Sequence, residues 1–323
     1  MASNVHFPTD MNLLWDSIHK SLSLLNKLQS KVKMGGWRKS KYIERKLKAS
    51  YRETSEIHRK KGGNYQERLK VSASNYLILS KKVSEKIKKS MIEAAAKTTE
   101  NIDKQLDELA CYVSMLDLHV DLLERRVIKG ETIPHSEKIF SIYERHVEWL
   151  SKGKLNMPVT IGHNVVITTD QYQFIVDYAV YEKTTDKTAA NSIGERIAAH
   201  YGSEYDLESL SFDRGFYSIL VKKALEKIFR KVIMPKPGKK GEAIELEESE
   251  AAYKKIRKQH SAVESNINEL QQSGLKKVMD KGIEGFKRYV SFAVLSMNIK
   301  RLGKILLDEK RVEVNRDILK KVA

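Results

Sequence analysis

The sequence predicts a mixed α/β chain in which a large all-α region precedes alternating strands and helices and the chain closes in C-terminal helices. Three observations predict it. From about Met11 to Leu150 prolines are few and Lys, Glu, Ala and Leu are plentiful, the composition of helix. Near Pro158 β-branched and aromatic runs take over, separated by turn residues. From Glu245 onward the apolar residues return to helical spacing. At 323 residues the chain has material for one large core or two smaller ones.

In the first region the firmest element is the series Leu106, Leu109, Val113, Leu116, Val120, Leu123 and Val127, whose steps alternate between three and four. Such a seam faces another helix. About three heptads is short for an independent coiled coil, so the partner helix is expected in the same chain. Cys111 lies off the seam and reads as a packing residue. Upstream, Lys31 to Lys89 is dense in basic residues. The stretches "KVKMGGWRKSKYIERK" and "IHRKKGGNYQERLK" join them to Trp37, Tyr42, Tyr51 and Tyr65, and Gly35-Gly36 and Gly62-Gly63 break the helices. Two readings stand. One is a surface on which Arg38, Lys39, Lys41, Arg59, Lys60 and Lys61 grip DNA phosphates while planar side chains rest on sugars or bases. The other is a helical hairpin with ordinary lysine-rich outer faces.

Beyond Pro158, "VTIGHNVVITTD" and "QYQFIVDYAVYE" flank a turn around Thr169-Asp170-Gln171, as in a hairpin. A helix is expected from about Lys187 to Tyr201, with Ile193 and Ile197 inward. A short strand ending near Asp213, a helix through Leu225, the strand "KVIMP" and a Pro/Gly/Lys loop follow. Helices over 245–270 and 282–307 complete the series. In mixed α/β arrangements ligands gather at the carboxyl ends of strands, where Asp213 would sit.

Composition narrows the function classes. Cys111 is the lone cysteine, which excludes an internal disulfide and a Cys-rich zinc site and fits a reducing cytosol. The nine histidines show no H-E-x-x-H spacing. No apolar run reaches the roughly 18 to 20 residues that span a bilayer, and the N-terminus lacks the apolar stretch of a signal peptide. A cytoplasmic protein with no membrane partner is expected. The net charge of +17 favours a polyanion, with nucleic acid ahead of an anionic membrane surface.

Two carboxylates stand out. In "LSFDRGFYS" Asp213 lies between an apolar run and a glycine turn, where an aspartate ordinarily serves as a turn or cap residue. In "YKKIRKQHSAVESNINELQQSGLKK" Arg257, His260 and Glu264 share one helix face, beside an apolar face of Ile256, Val263, Ile267 and Leu270 that can pack onto a sheet. Taken alone, Glu264 reads as a salt-bridged surface residue.

Together, a strand-end Asp213 before "RGF" and Glu264 on a later helix, with "KVIMP" between them, resemble the second and third acids of DDE-type transposases of bacterial insertion sequences. The opening "NVHFPTDMNLLWDS" and the tail "GLKKVMDKGIEGFKRYVSFAVLSMNIKRLGKIL" look like the same family, so the resemblance covers nearly the whole chain. It implies a ribonuclease-H-like mixed sheet with a large all-α insertion and C-terminal helices. On that plan residues 1–12 are a remnant of the first-strand region, 13–152 a basic helical insertion domain and 153–323 the catalytic core. It further implies DNA strand cleavage and strand transfer at transposon ends, with Asp213 and Glu264 as catalytic metal ligands and double-stranded DNA, both transposon ends and target, as substrate. Mg²⁺ or Mn²⁺ suits such a site, because hard divalent ions prefer carboxylate oxygens and keep waters that leave room for phosphate. Arg214, Arg257 and His260 are then candidates for phosphate contact, and assembly as a homo-oligomer on paired ends is implied.

One departure from the family changes the expectation. Its first metal-binding aspartate lies on the first strand, ahead of the segment that resembles "NVHFPTD"; Met1 to Phe7 contains no carboxylate, and Asp10 matches a later aspartate that reads as a helix cap. Asp170 reads as a hairpin-turn residue and a poor substitute. The resemblance therefore implies an N-terminally truncated transposase, or one with a misassigned start codon, inactive in cleavage as this chain. The alternatives are a non-catalytic DNA-binding remnant that occupies transposon ends, and a helical scaffold or RNA-binding protein whose acids are structural.

Overall fold

The computed structural model describes residues 1–97, 102–154, 157–239 and 241–322, which fall into two compact units: residues 5–145, and residues 1–4 together with 146–323. Residues 98–101 of the expected helical region and Lys240 of the expected loop lie outside the described residues.

The first unit is helical. It comprises α1 (Asp10–Gln29), α2 (Ser40–Lys60), α3 (Tyr65–Lys97) and α4 (Asp103–Leu123). The seam read from the sequence is its spine: Leu109, Leu116 and Leu123 of α4 are buried with Leu14, Ile18 and Leu25 of α1 and Tyr76 and Ile87 of α3. Thr9, not Asp10, caps α1, its Oγ1 accepting from Asn12 N–H at 3.1 Å. Asp10 instead sits buried in the first turn, 2.8 Å from Arg126 Nε. A carboxylate there also meets the positive end of the helix dipole.

The expected continuation of helix to Leu150 is not what forms. A π-helical turn at Glu124–Ile128 ends α4, Gly130 adopts φ +75°, and Glu148–Lys154 is a strand, β2. "EWLSKGK" carries no β-branched residue, so its strand state comes from pairing with distant residues rather than from local preference. The helical unit accordingly spans 5–145 rather than 13–152.

The second unit is mixed α/β. In chain order it contains β1 (Ala2–Ser3), β2, β3 (Met157–Gly162), β4 (Asn164–Thr169), β5 (Ile175–Tyr181), α5 (Asp186–Tyr201), β6 (Ser209–Ser211), α6 (Ile219–Leu225), β7 (Lys231–Ile233), α7 (Glu242–Ser249), α8 (Ala251–Leu270), β8 (Lys277–Val278) and α9 (Gly282–Val322). Among the described residues the strands form three sheets rather than the single mixed sheet expected: β2-β3-β1-β8, the β4-β5 hairpin and the parallel pair β6-β7. Residues 1–12 do contain a strand, and Ala2 pairs with Gly162 on one side and Lys277 on the other. Asp170 is the turn residue of the hairpin, its Oδ1 accepting from the N–H groups of Tyr172 and Phe174 at 2.9 and 2.8 Å. Its carboxylate is thereby committed to the turn.

Two apolar clusters stabilise this unit. One joins α5 to β6, β7 and Phe229; the other gathers Leu270, Leu275, Phe286, Val290 and Met297. In the first, Gly194 lets α5 approach α6 so closely that an added methyl group would run into Leu225 Cδ2. Gly194→Ala is therefore expected to destabilise this unit by roughly 1 to 2 kcal/mol, read as a lowered thermal midpoint. An unchanged midpoint would mean that α5 and α6 are not held at this distance. Among the described residues no helix is long and apolar enough to cross a membrane.

Candidate functional site

Two places carry the residues singled out in the sequence, and each lies within one unit. The first is the end of β6. Leu210 and Phe212 anchor the strand in the α5 cluster, and Asp213 follows at the start of a short 3-10 turn, Arg214–Phe216. The side chain of Asp213 makes no capping hydrogen bond, so the ordinary reading of an aspartate at this position does not account for it. Its Oδ1 lies 3.5 Å from both Arg257 Nη2 and His260 Nε2, and Arg257 also donates to the Phe212 carbonyl at 3.3 Å. Helix α8 thus brings two of the three predicted residues of its polar face to Asp213.

The third, Glu264, stands one turn further along α8. It is exposed and makes no ion pair among the described residues, but its charge acts on His260. Burial, with Arg257 adding to it, holds the His260 imidazole below its usual range against the opposing pull of Asp213 and Glu264. His260 is therefore neutral at pH 7, and of the two groups at 3.5 Å only Arg257 brings a charge to Asp213. Arg214 is exposed.

Asp213 and Glu264 have the donor chemistry of a hard divalent ion. Asp213 Oδ1 faces the Arg257 guanidinium at 3.5 Å, and among the described residues no group of three or more His, Cys, Asp or Glu side chains is arranged for a metal. The side chain of Asp213 is 60% exposed, so its pair with Arg257 is a surface ion pair. Asp213→Asn is expected to change stability by less than about 0.5 kcal/mol in chemical denaturation. A loss several times larger would make the residue a structural one.

The second place is α2. Lys41, Arg45, Lys48 and Arg52 are all exposed and follow one another at steps of four, three and four, which sets them in one row along the helix. The helix buries only Leu47, Ser50 and Thr54, which lie on the other side. None of the four basic residues forms an ion pair among the described residues. Arg59 continues the row, while Lys60 is tied to Glu56 Oε1 at 2.5 Å. Arg38 and Lys39 precede the helix, exposed, and Lys61 ends it at φ +36°. The sequence reading picked Lys41 and Arg59 from local charge density and missed Arg45, Lys48 and Arg52; helical spacing at about 100° per residue is the signal that joins them.

The aromatic part of that reading is corrected. Trp37 is 3% exposed and donates from Nε1 to Ser90 Oγ at 2.7 Å. Tyr51 stacks on Trp15 and donates to Asn12 Oδ1 at 3.0 Å. Both serve the helical core, since a large ring with a satisfied polar atom is worth more buried than presented to solvent. Tyr65 is half-buried against His58, which leaves Tyr42, 58% exposed, as the ring available to a ligand. Comparison of the chain with protein-family models, curated proteins and solved structures gives no match.

Proposed function

We propose that this chain is a transposase-like protein that binds double-stranded DNA through the α2 face and, by itself, leaves both strands uncut. The observation that carries the reading is the unpaired basic row. From Lys41 to Arg52 it runs about 17 Å along the helix, and a duplex presents on the order of ten phosphates over that length. Four cations without carboxylate partners on so short a face lose little by releasing water and gain counterion release on binding.

On this reading the α/β unit is a ribonuclease-H-like module. Asp213 and Glu264 supply two of the oxygen donors that Mg²⁺ or Mn²⁺ would need there, and Arg214, Arg257 and His260 stand where a phosphate would lie. Two-metal phosphoryl transfer depends on ligands that fix both ions in line with the scissile bond, and two carboxylates, one of them paired with Arg257, fall short of that. The non-catalytic alternative is the form of the reading that the site geometry favours.

The test is to incubate the chain with labelled duplexes, with and without Mg²⁺ or Mn²⁺, and to assay retention and strand breaks together. Retention of duplex with intact strands is expected. Cleavage that depends on Asp213 and Glu264 would overturn the inactive half of the proposal, and failure to retain any duplex at low salt would overturn all of it.

A further inference from the structure

Among the described residues β4 pairs with β5 alone and β6 with β7 alone, so each keeps one open edge. Both open strands line one cavity of about 500 Å³, to which residues 165–169 of β4 and 209–213 at β6 contribute. In the parallel β6-β7 ladder Lys231 N–H donates to the Glu208 carbonyl and Phe212 N–H to the Ile233 carbonyl. By the alternation of a strand, Ser209 and Ser211 turn their N–H and C=O groups to the opposite edge. Ser211 Oγ is a buried polar atom with no hydrogen-bond partner.

The surroundings are those of an interior strand rather than of a protected edge. Val165 and Ile167 of β4 pack on the α9 cluster while Val166 packs on the α5 cluster, so the strand is covered on both faces. No charge or proline blunts the edge of "VVIT", and the register irregularity of the hairpin falls at its end, between Thr168 and Thr169. Helix α8 lines the cavity with the polar Lys258, Gln259 and His260 and completes it with Ile256, Val263 and Ile267. The sequence assigned these to a sheet-packing face, yet Ile267 remains 37% exposed and the other two are only half-buried. Ile193 and Phe216 wall the cavity from the α5 cluster.

We propose that this cavity is an acceptor for one extended peptide strand of about five apolar, β-branched residues, donated by another polypeptide, which joins β4 and β6 into a continuous sheet. Five residues match the length of each lining edge at about 3.3 Å per residue. Two edges with backbone groups to satisfy select a polypeptide, and apolar walls from both α8 and the α5 cluster select a strand that is apolar on both faces. The inference uses none of the α2 residues, so duplex binding through α2 does not depend on it; Asp213 and His260 line the same cavity, so a strand seated there would lie against the site proposed for metal and phosphate.

The probe is a capped, fluorescein-labelled peptide Lys-Thr-Val-Ile-Val-Thr-Lys, whose lysines oppose charge attraction to the basic chain. It is titrated with the whole protein by fluorescence anisotropy. Saturable binding is expected, weakened at least about tenfold by N-methylation of alternate amides, which removes one row of hydrogen bonds and leaves the side chains. Ser211→Pro is expected to weaken binding similarly, because it deletes an N–H that the β6-β7 ladder does not use. Should that variant misfold, the methylated peptide on the unaltered chain decides. Equal affinity for methylated and unmethylated peptides overturns the proposal, as does absence of binding at about 1 mM peptide. Self-association of the chain that Ser211→Pro abolishes also overturns it, since a second copy would then be the occupant.

Discussion

Duplex DNA binding is expected to weaken by on the order of a hundredfold or more at about 0.1 M salt when Lys41, Arg45, Lys48 and Arg52 are together replaced by glutamate. Each substitution removes a phosphate partner and adds a repelling charge. All four side chains are exposed and lie away from Leu47, Ser50 and Thr54, so the buried residues of α2 are untouched, and the Lys48 ammonium is lost from the Trp15 ring, 5.9 Å from its centroid. A charge-matched control separates this row from the general basicity of the chain. Glutamate at Lys70, Lys82, Lys89 and Lys104, exposed positions on α3 and α4, lowers the net charge equally and is expected to cost far less affinity. If the two variants lose the same amount, net charge rather than the α2 face holds the duplex, and the remaining positive charge of the chain would suffice to explain any retention. Gel shift or anisotropy with one duplex at one salt concentration reads the comparison.

The second large effect is on stability as a function of pH. His119 of α4 is 0% exposed, with Nδ1 3.2 Å from Ser17 Oγ, while Ser17 itself donates to the Leu13 carbonyl. Burial lowers the pKa of the imidazole from 6.5 to about 4, against smaller opposing effects of the Met115 backbone and Asp16. Between these two values the unfolded chain binds the proton more tightly than the folded one. The stabilisation from keeping His119 neutral is therefore complete above about pH 6.5 and is lost as the pH falls toward 4, a change of about 3 kcal/mol. His119→Leu removes the titration and leaves Ser17 its backbone acceptor. Urea unfolding followed by the fluorescence of Trp15 and Trp37, both in the helical unit, should show a shallower decline between pH 7 and 4.5 in the variant by about 2 to 3 kcal/mol. Parallel pH profiles would contradict the buried neutral imidazole.

Much of the fold was legible because it is local. The Leu106-to-Val127 seam carries its own period, and the runs "VVITT" and "IVDYAVY" carry β-branched residues around a turn aspartate, so both could be read without knowing their neighbours. Strand β2 and the partition into three sheets were not legible. Their determinants are pairings with residues far away in sequence, which no local preference encodes. The site divides the same way. Asp213 lies beside Arg257 and His260, a strand end and a helix face that were each readable, whereas Asp213 facing a guanidinium rather than sharing an ion with Glu264 is a fact of packing. Trp37 and Tyr51 show the opposite failure: aromatic residues in a basic stretch suggest a ligand surface, and only burial reveals them as core.

The measurement closest to the central claim is the salt dependence of duplex affinity for the unaltered chain and for the variant with alanine at Lys41, Arg45, Lys48 and Arg52. Phosphate contacts release counterions, so the logarithm of affinity should fall linearly with the logarithm of salt, and the variant's slope should be less steep by about three to four. Identical slopes, or affinity that does not respond to salt, would contradict a duplex held by the α2 row.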